Sequence, residues 1–123
     1  MDRARGQKEA EISEAIVKFE REFMGRGPVE AKTFIVEDLV VVRLHKVLTP
    51  AEMKLAEAED QRKGRELIKQ LRRELLEGAR PLLEVTIKDI IGVPVQSLHT
   101  DISTKTGERI IVFTLVEVPR FDP

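Results

Sequence analysis

The strongest constraint on the fold is a helical pattern of apolar residues that runs from Pro50 to Ile91. Apolar side chains recur in it at spacings of three and four, as in a helix with one apolar face. A single helix of this length would measure about 63 Å at 1.5 Å per residue. A compact chain of 123 residues has a radius of gyration of roughly 14 Å. The segment must therefore break, or project from the domain and pair with another chain.

Two residues mark where that break could fall. Gly64 follows a highly charged stretch with few apolar positions, and Pro81 lies inside the apolar pattern, where it kinks or divides a helix. The weak apolar stripe before Gly64 favours a break there, combined with packing of the remaining helix in a dimer. Thr49, Pro50 and Glu52 predict a capping box at the start of the segment.

The rest of the chain alternates helical and hairpin patterns, each ended by glycine, proline or a turn. The predicted elements are a helix over residues 7–24, strands over 31–36 and 39–44, and strands over 95–103 and 109–118. The order helix, hairpin, helix, hairpin predicts one α+β domain over residues 1–123. We expect a four-stranded, mostly antiparallel sheet with the helices on one face and a long, kinked second helix.

Composition narrows the class of protein. Charged residues make up 35% of the chain, yet the net charge is −1, so no basic excess points to nucleic acid or an anionic membrane. No apolar run exceeds four residues, which predicts no direct membrane insertion, and no signal peptide is visible. Cysteine is absent, which excludes disulfides and thiolate chemistry and fits a cytoplasmic protein. Few heat-labile residues give a thermophile-like composition.

One predicted strand carries a polar row. Ser97, His99, Asp101 and Ser103 are two apart, so they share one face of the strand. The row fits a plain solvent face, a binding or interface surface, or a catalytic or metal site. Their Cα atoms lie about 6.6 Å apart and the side chains splay, which is unlike a catalytic triad. No catalytic residue, cofactor or resident metal is therefore predicted. The complementary row, expected to face the core, is Leu98, Thr100 and Ile102.

Two other basic features could hold an anion. Arg26 lies between two glycines after the first helix, and Lys105 and Arg109 flank the turn at Gly107. The alternative for Arg26 is a simple helix-to-strand connection, and the alternative for Lys105 and Arg109 is a solvated turn. His45 is expected to be an ordinary strand-end residue.

Five short segments, in this order along the chain, carry a resemblance to a known family. They are Glu11–Ser13, Met24–Pro28, Leu48–Glu52, Ala79–Pro81 and Leu98–Arg109. Together they resemble the MpsC family, labelled a component of a sodium-translocating, membrane-potential-generating system, from about Gly6 to Val118. The resemblance implies a small soluble protein without established catalytic residues. It also implies partners in a membrane system for uptake of ions or inorganic carbon.

The leading expectation is a non-enzymatic, cytoplasmic, homodimeric protein that is accessory to a membrane ion-transport system, with a membrane-transport protein as partner. The first alternative is a small-ligand or anion-binding module that uses Arg26, His99, Asp101, Lys105 and Arg109. The second is a metal-dependent enzyme centred on His99 and Asp101, with a third ligand from elsewhere.

Overall fold

The computed structural model describes residues 3–121 and contains three helices and four strands. They are α1 (Arg3–Met24), β1 (Glu30–Val36), β2 (Leu39–His45), α2 (Pro50–Ala56), α3 (Gln61–Ile91), β3 (Val95–Ile102) and β4 (Arg109–Leu115). The predicted α+β class is confirmed, as is the four-stranded antiparallel sheet. Among these helices, none is both long and apolar enough to cross a bilayer.

The strand order is β1-β2-β4-β3, and every neighbouring pair is antiparallel. Each hairpin therefore contributes one central strand and one edge strand, and β2 pairs with β4 through Val41 and Val112. Glu37 and Asp38 form the first turn, as predicted, with Glu37 at φ 54°. Ser97, His99 and Asp101 of the polar row lie on β3, at an edge of the sheet.

Alternate side chains of the sheet are buried. The residues at most 1% exposed in the two central strands are Val40, Val42, Leu44, Ile111, Phe113 and Leu115. The other face carries Phe34 and Val36, which are exposed. The buried face contacts α1 where the hydroxyls of Ser13 and Thr33 hydrogen-bond at 2.8 Å. The placement of all helices on one face stays a prediction.

The long apolar segment breaks between α2 and α3, at residues 57–60, four residues before Gly64. Asp60 caps α3 by accepting the Lys63 N–H at 3.1 Å. Gly64 lies buried inside α3, where an added Cβ would sit 2.1 Å from the Leu55 carbonyl oxygen. The break is close to the favoured position, but this glycine permits close packing of α2 on α3. No break occurs at Pro81, since α3 continues through it.

The predicted capping box of α2 and the predicted end of α3 are confirmed. Thr49 and Glu52 form the capping box, and Gly92 ends α3 with φ 77° while donating to Lys88. α1 begins at Arg3, earlier than predicted. The pattern missed its first turns because they are polar and carry no apolar periodicity. The fourth strand ends at Leu115 rather than residue 118. The Val116 N–H still bonds the Pro94 carbonyl, but Pro94 has no N–H with which the pairing could continue.

Candidate functional site: a basic pocket beside a buried charge cluster

Three connections meet at one end of the sheet: those between α1 and β1, between β2 and α2, and between β3 and β4. Arg26 Nη1 donates to the Leu48 carbonyl at 2.9 Å, which ties the first connection to the second. The Val47 N–H donates to the Gly107 carbonyl at 2.9 Å, which ties the second to the third. The three loops therefore form one continuous wall.

Gly107 is needed for this contact. It has φ 77°, which strains any other residue, and a Cβ added to it would lie only 3.3 Å from the Lys46 Cα. The glycine therefore serves both the turn, as the sequence predicts, and the docking of the β3–β4 turn on the loop after β2.

Beside this wall lies an open pocket of about 680 Å³, lined also by residues of α2 and α3, which we call the basic pocket. Its cations come from four separate segments: Arg26, Lys46, Arg65 and Lys105. Glu57 is the acidic residue of the lining. The other lining residues are Leu48, Met53, Ala56, Gln61, Thr104, Thr106 and Gly107. The volume suits a small molecule, and the cations with the threonine hydroxyls suit an anionic group.

The basic pocket unites two residues that the sequence singled out separately, Arg26 and Lys105. It adds Lys46 and Arg65, which the sequence analysis missed. No motif could have revealed them, because the four cations are far apart in the chain: three lie in the connected loops and Arg65 lies in α3.

The polar row of β3 does not act as one unit. Ser97 Oγ contacts His99 Nε2 at 3.3 Å and also hydrogen-bonds the Thr114 hydroxyl. Both Ser97 and His99 lie on the face opposite the buried one. Ser103 lies beyond the end of β3, where its Oγ accepts the Thr106 N–H at 3.2 Å.

Asp101 turns towards α3. Its Oδ1 accepts the Ile102 N–H at 2.8 Å and pairs with Lys69 Nζ at 3.2 Å. The hydrogen bond from the Ile102 N–H and, with a smaller effect, the Lys69 ammonium hold the pKa of the Asp101 carboxyl below its usual value. Within residues 3–121, no three His, Cys, Asp or Glu side chains are grouped to hold a metal ion. His99 and Asp101 thus find no third ligand among them.

Arg109 is not on the surface. It is 2% exposed, with Nη1 3.4 Å from Glu20 Oε2 and Nε donating to Thr100 Oγ1 at 3.2 Å. It is therefore not accessible to a ligand in solution. Its carboxylate partner belongs to a group that the sequence analysis missed. This buried charge cluster consists of Glu20, Glu52, Arg72 and Arg109.

Arg72 is the centre of the buried charge cluster. Its guanidinium donates to both oxygens of Glu52, at 2.8 and 2.7 Å, and to Glu20 Oε1 at 3.0 Å. Nη2 also donates to the Val47 carbonyl at 2.9 Å. One side chain of α3 therefore holds α1, α2 and the loop that forms the pocket wall. Two carboxylates meet two guanidinium groups, so the formal charges balance.

Burial and pairing act against each other in this cluster. Burial raises the pKa of Glu20, although Arg109 and Arg72 oppose the shift. Burial also acts to raise the pKa of Glu52, but the hydrogen bonds from Arg72 and the Thr49 N–H outweigh it and the pKa is lowered. Burial lowers the pKa of Arg109, with partial compensation from Glu20. The two carboxyls of the cluster are thus shifted in opposite directions, with the pKa of Glu52 held below its ordinary value.

A sequence signal for part of the cluster does exist. Glu20 follows Ile16 by four residues, and Arg72 lies four residues from both Ile68 and Leu76, on the buried stripe of its helix. A charged residue within an apolar helical stripe indicates a buried partner. The partners themselves cannot be identified from spacing.

Comparison with known proteins gives two matches. Residues 4–117 match the model of the family described as "Na+-translocating membrane potential-generating system (MpsC)". The chain is also 42% identical over 115 residues to the uncharacterized protein YbcI of Bacillus subtilis (strain 168), an alignment that spans 94% of this chain and 90% of YbcI. No solved structure matches.

Proposed function

This chain belongs to the MpsC family, and on that premise we propose that it is a non-enzymatic accessory or regulatory component of a membrane system that generates a membrane potential. The observation that carries the proposal is the extent of the family match, residues 4–117, which takes in every helix and strand apart from Arg3 at the start of α1. The proposed protein is cytoplasmic, acts as a homodimer and binds a membrane-transport protein from the side.

The contacts of the chemically capable side chains support a non-enzymatic role. His99 meets Ser97 at 3.3 Å, while the Asp101 carboxylate is paired with Lys69 of α3. Ser97, His99 and Asp101 therefore do not form a hydrogen-bonded chain of nucleophile, base and acid. The carboxylates of the buried charge cluster are held by guanidinium groups in the interior, where they link α1 and α2 to α3.

Loss of the gene gives a direct test. In a host that depends on the transport system, deletion is expected to lower the Na+-dependent membrane potential reported by a potential-sensitive dye. Return of the wild-type gene restores it. Equal potentials in the deleted and restored strains would overturn the proposed role.

A second candidate function is favoured by one specific observation, the basic pocket. Four cations surround a cavity with an apolar part formed by Leu48, Met53 and Ala56. We propose that this pocket makes the protein an anion-binding module, whose ligand would regulate the accessory role. The candidate probes are inorganic phosphate, bicarbonate and nucleotides.

Thermal unfolding with each probe tests the pocket. A binding anion is expected to raise the unfolding temperature of the wild type, because it binds the folded state alone. Lys105→Glu and Arg65→Glu should abolish that rise. Lys88→Glu, at an exposed position of α3 outside the pocket lining, is the matched control. A rise that persists in both pocket variants, or no rise with any probe, would remove this candidate.

A further inference from the structure

α3 carries a second apolar row besides the one buried in the core. Its large members are each between 38% and 55% exposed: Leu67, Leu71, Leu75, Leu82 and Val85. With Gly78, which is also exposed, they follow one another at spacings of four, four, three, four and three. Such residues lie on one face of a helix. We call this row the α3 seam.

Four positions of the α3 seam pair with one another when the helix is placed against an antiparallel copy of itself. About a midpoint between Leu76 and Glu77, Leu71 mirrors Leu82, and Leu75 mirrors Gly78. A helix face whose central positions pair with those of an antiparallel copy suits a two-fold interface, in which the same patch of both subunits meets itself. We infer that a second copy of this chain docks on the α3 seam, with the two helices antiparallel. The inference rests on the homodimer proposed above and specifies its interface.

The charges of α3 favour the antiparallel arrangement. Apart from the buried Arg72, residues 61–75 carry five cations and two carboxylates, whereas residues 77–91 carry two cations and three carboxylates. Parallel helices would place the basic halves side by side. Antiparallel helices place each basic half beside the slightly acidic half of the other copy, where the charges attract.

Gly78 provides room at the centre. A Cβ built at this glycine has no neighbouring atom within 4 Å in the monomer, so nothing in the domain itself requires a glycine there. In the antiparallel pair, Leu75 of each copy lies opposite Gly78 of the other, and the absent side chain lets the helices approach closely. A row of half-exposed leucines is in turn a surface that water solvates poorly.

Spin-label distances test the arrangement. The chain contains no cysteine, so Gln70→Cys and Gln61→Cys each introduce a single attachment site. In the antiparallel pair the two copies of residue 70 lie about 20 Å apart along the helix axis, and the two copies of residue 61 about 46 Å apart. In a parallel pair, the two copies of either residue would instead lie at about the usual spacing of packed helices, 8–10 Å. Equal short distances at both positions would overturn the inference.

Light scattering separates this inference from the proposed homodimer. The wild type should have twice the 14.0 kDa chain mass, Leu75→Glu should be monomeric, and Val36→Glu, on the open sheet face, should stay dimeric. A monomeric wild type would overturn both proposals. A dimer that survives Leu75→Glu but not Val36→Glu, or that survives both changes, would overturn the seam alone.

Gly78→Leu keeps the test decisive if Leu75→Glu does not fold. The substitution meets no atom in the monomer and improves helix propensity, so the fold should persist. It should clash with Leu75 of the other copy and weaken dimerisation about tenfold or more. An unchanged dimer dissociation constant would contradict the proposed register.

Discussion

Arg72 and Glu52 form a two-point ion pair in the interior, with Nε–Oε2 and Nη2–Oε1 distances of 2.8 and 2.7 Å. The same Glu52 carboxylate accepts the Thr49 N–H at 2.9 Å, so it caps α2 and anchors α3 at once. Nη2 of Arg72 also reaches the Val47 carbonyl, whose amide holds Gly107 of the pocket wall. The buried ion pair thus supports the loops that form the basic pocket.

Removing the guanidinium should be costly. Arg72→Met leaves Glu20 and Glu52 buried with Arg109 as the remaining cation of the cluster, and we expect the free energy of unfolding to fall by about 3–5 kcal/mol. Urea unfolding measures this loss in the free energy of unfolding. Arg73→Met, at the exposed neighbouring position, should change stability by less than about 0.5 kcal/mol. Equal effects of the two substitutions would show that the cluster contributes no specific stability.

Lysine should not replace this arginine. Its single ammonium group cannot donate to both oxygens of Glu52, to Glu20 and to Val47 in the fixed geometry of the guanidinium. Arg72→Lys is therefore expected to lose a large part of the stability lost in Arg72→Met, even though the charge is kept. Full recovery of the wild-type unfolding midpoint in Arg72→Lys would mean that charge alone matters here.

Acid should weaken the fold through Glu52. Its pKa is lowered from the ordinary value of 4.5, so its stabilising contribution is complete above that pH and is lost as the pH falls through the folded-state pKa. Glu20 has the opposite sign. Its pKa is raised above 4.5 in the folded state, so its ionisation lowers the free energy of unfolding as the pH rises past 4.5. Unfolding free energies measured between pH 7 and pH 3 should decline less steeply below 4.5 in Glu52→Gln than in the wild type. The same slope in both would exclude Glu52 as the source.

Two glycines of α3 should respond in opposite ways to alanine. At Gly64 the new Cβ would lie 2.1 Å from the Leu55 carbonyl oxygen, so α2 must shift and stability should fall by about 1–3 kcal/mol. At Gly78 no atom lies within 4 Å, and the gain in helix propensity should add up to about 1 kcal/mol. Chemical unfolding at low protein concentration, where self-association contributes little, compares them. A loss at Gly78 as large as at Gly64 would contradict this account.

Local signals explain why so much of the fold follows from the sequence. The capping box at Thr49 and Glu52, the left-handed end at Gly92 and the two hairpin turns each depend on residues within a few positions of one another. The break before α3 was predicted close to its true place for the same reason. The role of Gly64 was not visible in the sequence, since this glycine lies inside α3 and leaves room for the backbone of Leu55 in α2.

The candidate site depends on contacts between distant segments. Arg72 meets partners 20 and 52 residues away in the chain, and the pocket cations belong to four different segments. Arg109 looked like a surface residue from its place beside a turn, yet β4 carries it onto the buried face, towards Glu20. Residue types alone suggested an anion site, whereas its location required the folded loops.

The contact between Gly107 and the loop after β2 offers a test that links fold to site. Gly107→Ala should strain a backbone at φ 77° and press a Cβ against Lys46 at 3.3 Å, which lowers stability by about 1–3 kcal/mol. Because the Val47 N–H donates to the Gly107 carbonyl, its hydrogen exchange should speed up in the variant. Gly6→Ala, in a helix position with no atom near the new Cβ, is the matched control. Unchanged exchange at Val47, in a folded Gly107→Ala protein, would mean that the two loops are held together by other contacts.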